Sequence, residues 1–190
     1  CIVKQMLKAQ VVLPDGTRTT PTKGTPQGGI LSPLLSNIVL NELDWWVTSQ
    51  WEEMPTHYEY KTRQNAHGTD IKSHTYRALR RSRLKEMYIV RYADDFKIFC
   101  RSRQDAEKAF EATRLWLKDR LGLEISPEKS KVINLKQRYS EFLGFKMKVY
   151  PKGKKYVVCS HMSDKAIKQA KGKISAAIRA IQNPADDRAQ

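Results

Sequence analysis

Hydrophobic positions recur along the chain at two spacings, and these predict most of its elements. Leu31, Leu34, Leu35, Ile38, Val39 and Trp46 keep a helical interval and predict a helix from Ser32 to about Trp51, entered through an N-cap serine and Pro33. Ala106, Ala109, Phe110, Thr113 and Leu117 repeat that interval between Ser102, which forms a capping box with Asp105, and the stop signal Gly122. A last helix over about 163–182 sets Ile167, Ala170, Ile174, Ala177, Ile178 and Ile181 on one side and lysines on the other. Two β-rich runs, 87–92 and 96–100, flank Ala93-Asp94-Asp95 and predict a hairpin.

Shorter signals fill the gaps. Residues 2–9 read as a helix tail, and 11–13 and 17–20 as strands turning at Pro14-Asp15-Gly16. A loop rich in Gly, Pro and Thr spans 21–29. Residues 52–72 read as a polar insertion and 73–85 as a short basic helix. Strands are expected at 123–125, 132–135, 142–149 and 156–159, the last two turning at Pro151-Lys152-Gly153. The order lacks the βαβ rhythm of a parallel sheet, so the fold class is α+β with antiparallel hairpins.

Charge narrows the function. Thirty-five Lys and Arg against twenty Asp and Glu give +15. The excess is uneven: residues 61–91 hold nine basic and two acidic side chains, and 146–190 eleven and three. Two basic blocks around a nearly neutral centre suit a polyanion, of which nucleic acid is the commonest large kind. Three cysteines without CxxC spacing fit a reducing compartment and argue against a disulfide framework or zinc ribbon. No apolar run reaches the roughly 18 residues of a membrane span, and the first residues lack the apolar stretch of a signal peptide, so neither a membrane partner nor secretion is expected.

Two segments carry chemistry. Asp94 and Asp95 are adjacent carboxylates at a hairpin tip, where mutual repulsion costs on the order of a kcal/mol unless a cation or hydrogen bonds offset it. Two Mg²⁺ ions suit such a place, because Mg²⁺ takes carboxylate and phosphate oxygens and can clamp an in-line displacement. Asp-Asp alone is a common turn dipeptide; its Tyr-Ala flank and hairpin setting point to chemistry. The second segment, Lys23-Gly24-Thr25-Pro26-Gln27-Gly28-Gly29, opens the first long helix. Gly28 and Gly29 let a ligand approach the backbone, Gln27 offers donor and acceptor, and the free N–H groups of the helix favour a phosphate.

Together, GTPQGGILSPLLSNIVLNELD and RYADDF resemble group II intron-encoded reverse transcriptases, or maturases. The Tyr-x-Asp-Asp tetrapeptide is shared with the wider reverse transcriptase class. Gly122–Lys131 is similar to the family's lysine-bearing palm segment, Phe142-Leu143-Gly144-Phe145 to its primer-grip turn, and the last basic helix to the start of a thumb. The resemblance implies a polymerase palm, an antiparallel sheet packed on helices. It divides the chain into a partial palm over 1–145, with a basic insertion at about 52–86, and a primer-grip strand with the start of the thumb over 146–190.

Carried over, the resemblance makes Asp94 the main metal ligand and catalytic carboxylate and Asp95 its support. Tyr92 and Ala93 lie by the primer end and incoming nucleotide, and Gln27, Gly28 and Gly29 line the nucleotide and template site. Lys129 is the candidate cation for the departing pyrophosphate, with Lys131 the alternative. Phe142, Gly144 and Phe145 shape the primer grip. Arg77, Arg80, Arg81, Arg83, Lys168 and Lys171 face RNA phosphates. The expected activity is RNA-directed DNA synthesis with two Mg²⁺, using an RNA template, a DNA primer and deoxynucleoside triphosphates, and binding intron RNA. A non-catalytic maturase-type module that clamps intron RNA during splicing is the alternative.

The family's other essential aspartate lies on a palm strand upstream of the glycine loop, behind a fingers region, and neither is found in this sequence; Asp15 sits in a Pro-Asp-Gly turn. The open edge of the 87–100 hairpin is therefore expected to be covered, by an N-terminal segment on a separate chain or by a second copy in a homodimer. The four histidines lack metal-ligand spacing and read as surface or RNA-facing groups. Trp45, Trp46 and Trp51 read as core and interface aromatics.

Overall fold

In the computed structural model, the structure describes residues 4, 5, 8, 10–12, 15–20 and 32–182. The glycine loop at 21–29 and Leu31 lie outside the described residues, as does most of the expected helix tail at 2–9. Packing divides the chain between Ser130 and Lys131. The boundary expected from the resemblance lies further along, after 145.

The first unit is built on two helices and a hairpin. Helix α1, Ser32–Ser49, ends where Thr48 and Ser49 turn their hydroxyls back onto the carbonyls of Asp44, Trp45 and Trp46. Strands β1 (Val11–Val12) and β2 (Arg18–Thr19) form a small pair, as do β3 (Arg63–Gln64) and β4 (Asp70–Ile71) within the expected loop insertion. Helix α2, Ser73–Arg81, stops four residues short of the expected end. Strands β5, Met87–Tyr92, and β6, Asp95–Cys100, make the expected hairpin, and helix α3 follows over Arg103–Leu121.

The caps of α3 form as expected. Ser102 Oγ accepts the Asp105 N–H at 3.1 Å and donates to its carboxylate at 2.6 Å. Gly122, left-handed at φ 63°, returns its N–H to Lys118 and that of Leu123 to Leu117.

Leu40, Leu43 and Val47 of α1 meet Leu117 of α3 in the core, with Met87, Ile89, Phe96 and Ile98 of the hairpin packed against them. This corrects the expected face of α1: Leu34, Ile38 and Val39 are exposed. The helix is apolar nearly all round in its first half, so periodicity could not choose a side. Trp46 stacks on Trp116 at 5.2 Å, and Trp51 is wholly buried against Tyr76 and Tyr88; Trp45 is exposed, contrary to expectation.

The expected strand at 123–125 is not regular structure; Ile125 simply packs on the core. The one at 132–135 is also missing. There Asn134 accepts the Lys136 N–H on its side chain and those of Gln137 and Arg138 on its carbonyl, turning the chain out of an extended path.

The second unit is the antiparallel meander β7 (Ser140–Phe142), β8 (Phe145–Lys152) and β9 (Lys155–Met162), followed by α4, Asp164–Gln182. The second turn is Gly153-Lys154, not 151–153, because Pro151 sits within β8 opposite Tyr156. A proline is tolerated there, since β7 is too short to need an N–H from that position. Ser163 donates its N–H to Gly144 at 2.7 Å and caps α4 by accepting the Ala166 N–H. No described helix is long and apolar enough to cross a membrane.

Candidate active site at the Ala93-Asp94 turn

Alternation along β5 and β6 sorts the hairpin into two faces. Met87, Ile89, Arg91, Phe96 and Ile98 share the side toward the helices; Val90, Tyr92, Asp95 and Lys97 share the other. Tyr92 opposite Asp95 is the last pair, so Ala93 and Asp94 are the two central residues of the tightest ordinary hairpin turn. Ala93 has φ 53° and Asp94 is not in the positive region, a pattern that ordinarily takes glycine at the first position. Something must hold this strained residue in place.

That restraint is Arg91. Its Nη1 donates to the Ala93 carbonyl at 2.8 Å and to Asn37 Oδ1 at 2.8 Å. Nε and Nη2 grip the Asp44 carboxylate at 2.9 and 2.6 Å. The Arg91 side chain is 11% exposed and that of Asp44 28%. The Asp44 hydrogen bond outweighs burial and raises the guanidinium's pKa further. Asn37 and Asp44 are seven residues apart on α1, in one stripe with Leu40 and Val47. The helix entered from the glycine loop is thereby fastened to the Tyr-Ala-Asp-Asp turn. Sequence reasoning missed Asn37 and Asp44; their signal is two polar residues at helical spacing on the face that carries Leu40 and Val47.

Asp94 and Asp95 are both exposed and make no ion pair among the described residues. Two adjacent, solvent-facing carboxylates offer hard oxygen donors and leave room for retained water, which fits Mg²⁺ as part of a coordination shell. Among the described residues no group of three acidic, His or Cys side chains is placed to hold a metal ion.

The other expected site residues are placed as follows. Gln27, Gly28 and Gly29 lie outside the described residues. Lys129 is exposed near the end of the first unit, and Lys131, also exposed, opens the second. Phe142 pairs with Phe145 around Leu143 and Gly144, at φ 51° and 79°, both positive as a two-residue turn of this kind requires. Gly144 is needed for that conformation rather than for space: a Cβ there would meet only the Ala166 Cβ, at 3.9 Å. The two non-glycine residues of positive φ among those described thus fall in the two turns that the family resemblance singled out.

Arg77, Arg81 and Arg83 are exposed and make no ion pair among the described residues, as are Lys168 and Lys171 on α4. Arg80 differs: its Nε is held by Glu86 at 2.9 Å.

The reverse transcriptase (RNA-dependent DNA polymerase) family matches residues 2–147. The group II intron-encoded protein LtrA of Lactococcus lactis subsp. cremoris is 34% identical over 68% of this chain and 26% of its own length. The putative COX1/OXI3 intron 2 protein of Saccharomyces cerevisiae is 30% identical over 79% of this chain and 20% of its own. Protein YkfC of Escherichia coli is 28% identical over 66% of this chain and 32% of its own length. The chain thus spans a fifth to a third of these relatives. With its central motifs, its α+β hairpin architecture and this match over most of its length, the chain belongs to the reverse transcriptase family, among the group II intron-encoded reverse transcriptases and maturases.

Proposed function

We propose that the chain carries the palm chemistry of an RNA-directed DNA polymerase, extending a DNA primer on an RNA template. The observation that carries this reading is the fastening of the Asp94 turn to α1 through Arg91, Asp44 and Asn37. A relic turn has no use for a strained Ala93 whose carbonyl is held by an arginine itself fixed on Asp44 and Asn37, whereas a metal-binding turn needs a fixed backbone under its carboxylates. Asp94 and Asp95 would hold Mg²⁺, which when bound neutralises phosphate charge and favours in-line displacement. The chain's own residues supply the rest. Tyr92, exposed beside Asp95, offers a ring to the primer end. Lys129 offers a cation to the departing pyrophosphate, and Phe142-Leu143-Gly144-Phe145 a rigid turn to the primer backbone. The basic blocks hold the template and intron RNA by their phosphates.

The test is primer extension on an RNA template, with the chain fused behind the upstream segment of a group II intron relative. Asp94→Asn should keep the fold and lose extension by several orders of magnitude, because an amide holds Mg²⁺ far less well than a carboxylate. Extension within about tenfold of wild type would remove Asp94 from the reaction and leave the non-catalytic RNA-clamping reading.

A further inference from the structure

The basic insertion between α1 and the hairpin has two unlike faces. On α2, Tyr76 and Leu79 point inward: the Tyr76 ring lies 5.1 Å from that of buried Trp51, its hydroxyl donates to Glu52 at 3.1 Å, and Leu79 is buried. His74, Arg77 and Arg81, at i, i+3 and i+7, share the opposite, exposed face over about 10 Å. At the start of this strip Tyr60 lies nearly parallel to His74, their rings 6.2 Å apart and inclined by 17°. Tyr58 meets Tyr60 edge-on at 5.3 Å and is 68% exposed, so it keeps an open ring face. The Thr56 hydroxyl, donating to the Tyr58 carbonyl at 2.6 Å, braces the backbone beneath it.

This arrangement combines aromatic faces with unpaired cations. Residues 57–85 hold eight Lys and Arg side chains against Glu59 and Asp70, and acids outside the segment answer Arg80 (Glu86) and Lys85 (Asp105) but neither Arg77 nor Arg81 among the described residues. A polyanion is favoured, and an open tyrosine ring next to paired aromatics adds a stacking surface that phosphate binding alone does not use. Bases within a duplex are already stacked, so such a ring selects unpaired ones.

We infer that Tyr58, Tyr60, His74, Arg77 and Arg81 form a docking strip for an unpaired RNA segment, separate from the Asp94 turn. A base stacks on Tyr58, and the phosphates that follow run along Arg77 and Arg81. The choice of RNA over another single strand rests on the function proposed above; the strip itself does not depend on catalysis.

The experiment measures binding of the full chain to a short labelled oligouridine and to an RNA hairpin duplex of matched charge, by fluorescence anisotropy over a salt series. Tyr58→Ala should weaken oligouridine binding about tenfold and leave duplex binding and the salt slope unchanged; Tyr58→Trp should restore it. Arg81→Gln should lower the slope of log affinity against log salt by about 0.7 for the single strand. Equal oligouridine binding by wild type and Tyr58→Ala would overturn the inference. So would displacement of the RNA by a polyglutamate peptide of equal charge, which would make the strip a face for acidic proteins. Asp94→Asn is the control: it should abolish primer extension by the fused chain described above without moving oligouridine affinity in either protein, so failure of the catalytic reading and failure of the strip give different results.

Discussion

Arg91 and Asp44, 47 residues apart in sequence, meet as a fork against a carboxylate, with Nε to Oδ1 at 2.9 Å and Nη2 to Oδ2 at 2.6 Å. Two parallel bonds fix orientation as well as distance, which a single contact does not. The remaining guanidinium nitrogen is then aimed at Asn37 and at the Ala93 carbonyl, both at 2.8 Å. One side chain thus couples the conformation of the turn to the rotation of α1, which Leu40, Leu43 and Val47 also fix by packing in the core.

Asp44→Asn should lower stability by about 1–3 kcal/mol, since it leaves a largely buried guanidinium without its counter-charge. Arg91→Lys should cost a similar amount, because an ammonium cannot satisfy Asp44, Asn37 and Ala93 from one position. Urea denaturation checks both: the midpoint should fall with an unchanged m-value, and a midpoint equal to wild type would mean the fork contributes nothing.

The turn at Leu143-Gly144 gives two predictions of opposite sign. Asn tolerates positive φ far better than Leu, so Leu143→Asn should stabilise the β7–β8 hairpin by about 0.5–1 kcal/mol. Gly144→Ala should destabilise it by about 1–2 kcal/mol through φ 79° alone, there being room for the methyl group. Thermal unfolding followed by circular dichroism reads both, and a shift of the same sign for the pair would refute the argument from backbone strain.

The hairpin, the caps of α3 and the basic last helix were legible because each rests on a local rule: β-rich runs around a turn, Ser102 three residues before Asp105, glycine after the last turn. The orientation of α1 was not. Leu40, Leu43 and Val47 form its buried stripe, and half-buried Asp44 and exposed Asn37 continue it at helical spacing as polar residues because their partner is Arg91. Hydrophobicity counts such residues as outward-facing. Likewise 132–135 has the composition of a strand, and only the hydrogen bonds of Asn134 reveal a turn. In the candidate site, the Asp-Asp pair was visible as a motif, whereas its support on α1 needed the fold.

High pH should weaken the first unit in two overlapping windows. Burial, then the hydrogen bond from its hydroxyl to Glu52, pushes the Tyr76 phenol from 10.0 to about 12. Burial, then the Asp105 charge, pushes the Cys100 thiol from 9.0 to about 11. In both cases the folded state holds its proton more tightly than the unfolded chain. The stability this gives is therefore complete below the unfolded pKa and lost as pH rises through the folded one. Stability should fall between about pH 9 and 12, and Tyr76→Phe should remove the upper part of that fall. At pH 8 an alkylating reagent should leave Cys100 largely unmodified while modifying it in urea; equal rates would contradict the raised thiol pKa.

The four arginines of the basic run should divide three to one in RNA binding. Glu86 accepts from Arg80 Nε at 2.9 Å and from the Tyr88 hydroxyl at 3.0 Å, and faces Arg101 at 3.6 Å, so much of the Arg80 charge is already answered. Arg77→Ala, Arg81→Ala and Arg83→Ala should each reduce the salt slope of RNA affinity by about 0.7–0.9. Arg80→Ala should leave the slope nearly unchanged and lower stability by less than about 1 kcal/mol, as expected for a partly exposed pair. Glu86→Gln should do the reverse, releasing Arg80 and Arg101 and steepening the slope by about 0.7 or more. Filter binding across a potassium chloride series distinguishes these outcomes. Four equal reductions would mean that Glu86 does not hold Arg80 in solution and that the run acts as an undivided cationic surface.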